Sequence, residues 1–222
     1  GGTVKGGTQT MKRRWCCALV ASLMAVAIAP VAARAPEPAL SLPRDVRDLE
    51  EALDDCLGTR LDGWELVDYA TSLVNQKFTR FSLWHLWETS GLAFKNSRGF
   101  SDQYNIALGR LLAGLGYEVH AVHASRVRFD AARMGTPWWN AGHTWLRVTH
   151  GGQTLDVCAS RGDHKAGRVR FSPSSDERPV HPWTGLNIRL ALVGPVTWQV
   201  WKSMLTGQPV PRWLFRGFHD QG

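Results

Sequence analysis

Three residues of the types that act together in acyl transfer occur in order along this chain: Ser101, His143 and Asp156. Ser101 precedes an apolar helical repeat, and the dipole of a helix favours a nucleophile at its N-terminus. His143 opens a strand-like segment, and Asp156 lies on the next one. A nucleophile, a base and a carboxylate that orients the base are the groups that acyl transfer or amide hydrolysis uses. We therefore predict a catalytic site at these residues.

The distance between His143 and Asp156 depends on the turn that joins their strands. Side chains alternate between the two faces of a strand, so His143 shares a face with Arg147. A two-residue turn at 151–152 pairs Asp156 with Arg147, about 13 Å from His143 at about 3.3 Å per residue. A turn at 150–151 halves that separation. Both turns place His143 and Asp156 on one face, and the sequence leaves the register open.

Apolar periodicity predicts the elements that carry these residues. Helical spacing predicts helices at residues 45–57, 64–78 and 102–115, the last with Ser101 as its N-cap, and a short aromatic helix or irregular segment at 81–94. Strand patterns occupy residues 118–128, 143–149, 154–159 and 186–193, whereas 197–205 is either a strand or a short helix. A loop at 129–141 and a polar, turn-rich segment at 161–182 connect them. The expected fold is α+β, with N-terminal helices and a buried central helix packed on an antiparallel sheet.

Composition places the chain among globular proteins: of its 222 residues, 44% are hydrophobic and 10% are aromatic. The formal charge of +7 belongs to the N-terminus, because residues 1–35 contain five basic side chains and no acid. Residues 36–222 hold 21 basic and 19 acidic side chains. We therefore expect no nucleic-acid partner.

The first 35 residues have the layout of a secretory leader. Met11 is followed by three basic residues, an apolar run at 16–29 and small residues up to 35. The run is short for a membrane span, so we expect a secreted or cell-envelope protein, with membrane contact only if the leader remains as an anchor. Residues 36–43 are a Pro-containing linker. Residues 44–222 are expected to form a single domain.

Cysteine and histidine spacing argues against a metal site. Cys56 and Cys158 lie 102 residues apart and form either one disulfide or two buried thiols. His120 and His123 point to opposite faces of a strand, so they cannot chelate one ion together. We expect neither a metal nor a cofactor.

Aromatic residues near the predicted site are candidates for the wall of a substrate groove. Aromatic side chains suit an acyl or peptide ligand, and a guanidinium attracts a carboxylate. Core and rim packing explains the same residues equally well. The candidates are Trp84, Trp87, Arg98, Trp138 and Trp139.

Several motifs around these residues occur in one known superfamily. RGFSDQYN at 98–105 is followed by an ALxxLLxxLGYEV pattern, by GHTWLRV at 142–148, by a Gly-Gly turn and by LDV at 155–157. Over about residues 94–159 the chain resembles the transglutaminase-like superfamily, which has a papain-like core and includes the arylamine N-acetyltransferases. The resemblance implies that Ser101 takes the nucleophilic cysteine's position, His143 the base's and Asp156 the orienting carboxylate's.

Serine departs from the superfamily's thiol. A thiol has a pKa of about 8.5 and a hydroxyl is far less acidic, so a preformed thiolate cannot exist at Ser101. The leading expectation is an exported serine variant, possessing full or impaired activity, that acts on a peptide, amide or cell-wall substrate. The alternative is a non-enzymatic protein that binds such a ligand in the retained groove. An acetyl-coenzyme A enzyme ranks lowest, because Gly99-Phe100 replaces that family's usual double glycine and only 66 residues follow Asp156.

Overall fold

The computed structural model describes residues 14–26, 46–130 and 141–220. Residues 14–26 form a helix whose side chains are exposed. The predicted linker at 36–43 and the groove candidates Trp138 and Trp139 lie outside these ranges. Within them, no helix combines the length and the hydropathy needed to cross a bilayer.

Helices and strands alternate along the body of the protein, which confirms a mixed α+β architecture. In chain order the elements are α1 (Leu49–Leu57), α2 (Gly63–Lys77), β1 (Arg80–Ser82), α3 (Ser90–Lys95), β2 (Arg98–Gly99), α4 (Ser101–Gly114), β3 (Glu118–Ala124), β4 (Val127–Phe129), β5 (His143–His150), β6 (Gln153–Val157), β7 (Phe171–Pro173), β8 (Glu177–Pro179), α5 (Pro182–Thr206) and β9 (Phe215–Gly217).

The main sheet has the order β6-β5-β3-β8, and all of its pairs are antiparallel. Gly151 and Gly152 form the two-residue turn between β5 and β6, with φ of 59° and 78°. Glycine adopts this left-handed region without steric cost, which suits a tight hairpin turn. The turn pairs Arg147 with Asp156. Of the two registers left open by the sequence, the structure therefore has the one that separates His143 from Asp156.

The two faces of the main sheet belong to different hydrophobic clusters. Helix α4 packs on one face, where a Cβ added to Gly109 would lie 3.3 Å from the Leu146 side chain. Leu146 and Val148 belong to the large core beneath α4. Trp145 and Cys158 lie in a smaller cluster on the other face, together with Phe171. Side chains of alternate parity on β5 therefore face different environments.

Two smaller strand groups complete the fold. β1 pairs in parallel with β2 and antiparallel with β9, and β4 pairs with β7. The predicted strand at 118–128 is divided into β3 and β4. The predicted segment at 81–94 is mostly turns, and it ends in α3 rather than forming one helix.

The predicted strand at 186–193 is wrong, because those residues belong to α5. Leu192, Val196 and Val200 recur every four residues and are buried, which is the spacing of a helical face. Pro182 occupies the first turn, where its missing N–H costs no hydrogen bond. The alternation that suggested a strand came partly from Leu186 and Leu190, which are exposed.

Candidate functional site

Ser101 lies beside a cavity of about 210 Å³ at the N-terminus of α4. We call it the Ser101 cavity. Its lining is mainly apolar and comes from β1, α4, β3 and α5 and the segments beside them. The lining residues are Phe81, Leu83, Phe100, Ser101, His123, Ser125, Gly142, Ile188, Ala191 and Leu192.

The start of α4 is fixed by Gln103. Phe100, and not Ser101 as predicted, occupies the N-cap position, and its backbone N–H donates to Gln103 Oε1 at 3.1 Å. Gln103 Nε2 donates to the carbonyls of His85 and Glu88, both at 2.8 Å. Ser101 is the first helical residue, and the first backbone N–H groups of a helix have no acceptor within it. These N–H groups can stabilise negative charge that develops near Ser101.

His123 is the imidazole that shares the cavity with Ser101. Its Nδ1 lies 3.0 Å from Thr144 Oγ1, on the neighbouring strand β5. A Cβ added to Gly142 would lie 3.2 Å from His123 Cε1 and 3.4 Å from Nε2, so this edge of the ring faces Gly142. In the tautomer that carries its proton on Nδ1, the ring donates to Thr144 Oγ1 and Nε2 is a proton acceptor.

The charge of His123 suits a base. Burial lowers the pKa of His123 below its usual 6.5, and the nearby Asp102 carboxylate opposes this in part. The imidazole is therefore neutral at neutral pH, as a general base must be before reaction.

Asp102 is buried directly after Ser101, and its charge is compensated by α5. Arg189 Nη2 donates to Asp102 Oδ2 at 2.9 Å, and Arg189 Nη1 donates to the Glu88 carbonyl at 3.3 Å. Asp102 Oδ1 has no hydrogen-bond partner within the described ranges. The ion pair joins α5 to the start of α4 and so holds one wall of the Ser101 cavity.

His143 lies on the sheet face opposite α4. It is buried between Phe129 and Phe171, with ring centroids 5.2 and 5.0 Å away. Its Nε2 lies 3.2 Å from Cys158 Sγ. The Ser101 cavity is lined by His123 and not by His143.

Asp156 has partners other than His143. Its Oδ1 accepts from Trp145 Nε1 at 3.0 Å and from Arg147 Nε at 3.3 Å. The register of the hairpin places it beside these residues. The hairpin therefore pairs Asp156 with Arg147 and not with His143, although parity correctly placed Asp156 and His143 on one face.

Cys158 has a polar environment that the sequence analysis missed. Besides His143 Nε2, its Sγ lies 3.5 Å from Asn105 Nδ2 and 3.2 Å from Ser160 Oγ. The signal was present, because Cys158 has the parity of Asp156 and so shares the face of His143. Cys56 and Cys158 are buried thiols that do not form a disulfide, so the two-thiol alternative is the one observed.

The predicted groove residues do not line the Ser101 cavity where the structure describes them. Trp84 is buried in the main core, and Trp87 is 46% exposed. Arg98 is bound to Glu88 in an ion pair of 2.6 Å and is not free to attract a carboxylate. Local sequence could not reveal these environments, because long-range packing decides them.

The fold and the site define a mixed α+β protein with a serine and a histidine in one apolar cavity. No model of a known protein family and no curated protein matches this chain. From the sequence, His123 was considered only as a metal ligand, and strand parity excluded that role. On β3, His123 alternates in step with Val119 and Ala121, which face α4. This shared strand face was the signal that His123 lies on the same side as Ser101.

Proposed function

We propose that this chain is an exported transglutaminase-like protein that performs acyl transfer or amide hydrolysis, with Ser101 as nucleophile and His123 as general base. The observation that carries the proposal is the joint lining of one apolar cavity by Ser101 and His123. The hydrogen bond between His123 Nδ1 and Thr144 Oγ1 supports the assignment of the base, because it orients the ring.

The chemistry follows from the two side chains. His123 Nε2 removes the proton of Ser101 Oγ as this oxygen bonds to the substrate's carbonyl carbon. The oxyanion accepts hydrogen bonds from first-turn N–H groups of α4. The imidazolium then protonates the leaving amine as the C–N bond breaks, which leaves an ester on Ser101. Water or a second amine attacks that ester and releases the acyl group.

The apolar lining of the Ser101 cavity supports one class of substrate. Phe81, Leu83 and Phe100 present apolar surface, as do Ile188 and Leu192. A cavity of about 210 Å³ accommodates a small apolar acyl group or side chain next to the scissile bond. A peptide or amide with an apolar residue at that bond is the expected substrate.

A fluorophosphonate probe tests the nucleophile and the base together. Attack by Ser101 Oγ forms an O–P bond and expels fluoride, with the proton passing to the base. We expect wild-type protein to be labelled, Ser101→Ala and His123→Gln to lose labelling, and His143→Gln to keep it. Urea unfolding of each variant verifies that it is folded.

Two results would contradict the assignment. Absence of labelling in folded wild-type protein would reject serine chemistry. Loss of labelling in folded His143→Gln, with retention in His123→Gln, would restore the base predicted from the sequence.

A non-enzymatic binding protein is the second candidate. It is favoured by one observation: within the described ranges, no hydrogen bond joins the Ser101 hydroxyl to an imidazole. A pure binder should be inert to the probe and yet be stabilised by N-acyl peptide amides in thermal unfolding. The shift should persist in Ser101→Ala, because that variant retains the apolar lining.

A further inference from the structure

A second, larger cavity continues from the Ser101 cavity. Its volume is about 470 Å³, and four residues line both cavities: His123, Ser125, Ile188 and Ala191. The rest of its lining comes from β8, from the segment before it and from the first two turns of α5, and every one of these residues is polar. We call this second cavity the polar compartment. The residues that line it alone are Ser175, Asp176, Arg178, Thr184 and Asn187.

Arg178 lies beside His123 in the polar compartment. The two residues are directly opposite each other in the antiparallel pair of β3 and β8. The Cβ atoms of such a pair are about 4.5–5.5 Å apart. The preceding residue, Glu177, points to the other face of the sheet, where its carboxylate binds Arg147. Since successive side chains of a strand alternate, Arg178 shares the face of His123, and its guanidinium accompanies the proposed base.

The Arg178 guanidinium is available to a ligand. Among the residues that the structure describes, none forms an ion pair with it. Asp176, the acidic residue of the polar compartment, is two residues away from Arg178, or about 6.6 Å along an extended chain. A guanidinium offers two parallel N–H donors to a carboxylate, which gives a strong and directional contact. Three other arginines already bind carboxylates within the protein: Arg98, Arg147 and Arg189.

The position of Arg178 matches the geometry of one kind of leaving group. His123 protonates the nitrogen of the amide that breaks, so this nitrogen lies next to the imidazole. In an α-amino acid the carboxylate carbon is about 2.5 Å from the nitrogen. The carboxylate of a leaving amino acid therefore lies close to His123, where the Arg178 guanidinium can reach it. The acyl group occupies the apolar Ser101 cavity, and the polar compartment receives the leaving amino acid.

We propose that Arg178 binds the α-carboxylate of the leaving amino acid, so that the substrates are N-acyl amino acids and the C-terminal bonds of peptides. The proposal rests on the function proposed for Ser101 and His123, and it names the substrate class of that site. Ser101 Oγ takes the acyl group as the C–N bond breaks, and the amino acid leaves with the proton from His123. Water then hydrolyses the ester and releases the acid.

Two substrates that differ in one group test Arg178. N-acetyl-leucyl-serine ends in a carboxylate, and N-acetyl-leucyl-serinamide ends in a neutral amide. We expect the wild-type kcat/KM to be about tenfold or more higher for the acid, because only the acid forms a charged pair with Arg178. Arg178→Gln should bring this ratio close to one by raising the KM for the acid. Arg60→Gln, which alters an exposed arginine between α1 and α2, should keep the wild-type ratio.

Binding to an inactive variant separates this inference from the proposed function. In Ser101→Ala, the acid should raise the Tm more than the amide does, and Ser101→Ala/Arg178→Gln should lose the difference. If the fluorophosphonate labels wild-type protein but both substrates react equally, or folded Arg178→Gln keeps the wild-type ratio, the role of Arg178 is overturned and the proposed function stands. A preference for the amide that Asp176→Asn removes would also overturn it. Unlabelled wild-type protein that binds the acid through Arg178 would reject catalysis at Ser101 and retain the carboxylate site.

Discussion

The Ser101 oxygen lies in a field suited to a negatively charged nucleophile. It is in the first turn of α4, where the helix dipole is positive, and it shares a cavity with neutral His123. An alcohol gains little ground-state reactivity from such a field, because its pKa is far above neutrality. A thiol at the same position would gain much more.

Replacement of Ser101 by cysteine should therefore create a reactive thiol. We expect Ser101→Cys to react with iodoacetamide about tenfold faster than Ser125→Cys, whose thiol lines the same cavity but is not in a helix N-terminal turn. Peptide mapping by mass spectrometry separates these thiols from Cys16 and Cys17, which are exposed. Equal rates would show that the site does not activate a nucleophile.

His85 makes stability dependent on pH. Burial, and then the Arg98 guanidinium, lower the pKa of His85 to about 4. Its ordinary pKa is 6.5, so the unfolded chain takes up the proton first as the pH falls. Stability is therefore lost between about pH 6.5 and pH 4, by about 1.4 kcal/mol per unit of pKa difference.

Removal of His85 should reduce this loss. From pH 7 to pH 5, we expect the free energy of unfolding of His85→Asn to fall by about 2 kcal/mol less than that of wild type. The exposed His120→Asn serves as the control and should follow wild type. Urea unfolding at the two pH values measures the difference, and parallel losses in all three proteins would contradict this role of His85.

At the scale of elements, the side-chain amide of Asn105 bridges β5 and the segment after β6 where their backbone hydrogen bonds end. Asn105 Nδ2 donates to the Thr144 carbonyl at 2.6 Å, and its Oδ1 accepts from the Ala159 N–H at 2.9 Å. Both backbone groups are buried, so this one side chain of α4 satisfies two strands at once. These two hydrogen bonds also fix the position of α4 on the sheet, and with it the position of Ser101.

Truncation of the Asn105 side chain should destabilise the folded protein. Asn105→Ala leaves a buried carbonyl and a buried N–H unpaired, and we expect a loss of about 2–4 kcal/mol in the free energy of unfolding. Asn187→Ala, an exposed asparagine on α5, should change stability by less than about 0.5 kcal/mol. Denaturant unfolding of both variants measures the contrast, and a loss below about 1 kcal/mol for Asn105→Ala would show that water replaces the amide.

Elements with strong local signals were predicted correctly. The helices corresponding to α2 and α4 and the Gly-Gly hairpin were confirmed, because apolar period and turn chemistry act over a few residues. Helix α5 was mistaken in part for a strand, because its exposed leucines obscured the helical period. Only packing against the core distinguishes its buried side from its outer face.

At the scale of the whole molecule, α5 is joined to the site by an ion pair over a long sequence distance. Arg189 and Asp102 are 87 residues apart, and the carboxylate side chain is only 3% exposed. A buried charge without its partner is strongly destabilising. The pair therefore fixes the packing of α5 across the Ser101 cavity.

Removal of Arg189 alone should destabilise the protein more than replacement of Arg189 and Asp102 together. We expect Arg189→Met to lose about 3 kcal/mol of unfolding free energy, because Asp102 is left charged and buried. The double variant Arg189→Met/Asp102→Asn should recover most of that loss. Lys202→Met, which removes an exposed cation from the same helix, should be near neutral. Additive losses in the double variant would contradict coupling between the two residues.

The sequence by itself determined the α+β class, the central helix at about 102–115, the hairpin and the shared face of His143 and Asp156. These follow from periodicity and turn chemistry, which are local. The tertiary structure decided which imidazole shares a cavity with Ser101, because helix α4 packs on one face of the sheet. His123 on β3 pairs with Thr144 on β5, and Thr144 is the neighbour of His143. Because successive side chains of a strand point to opposite faces, His123 lies on the face that α4 covers and His143 lies on the other.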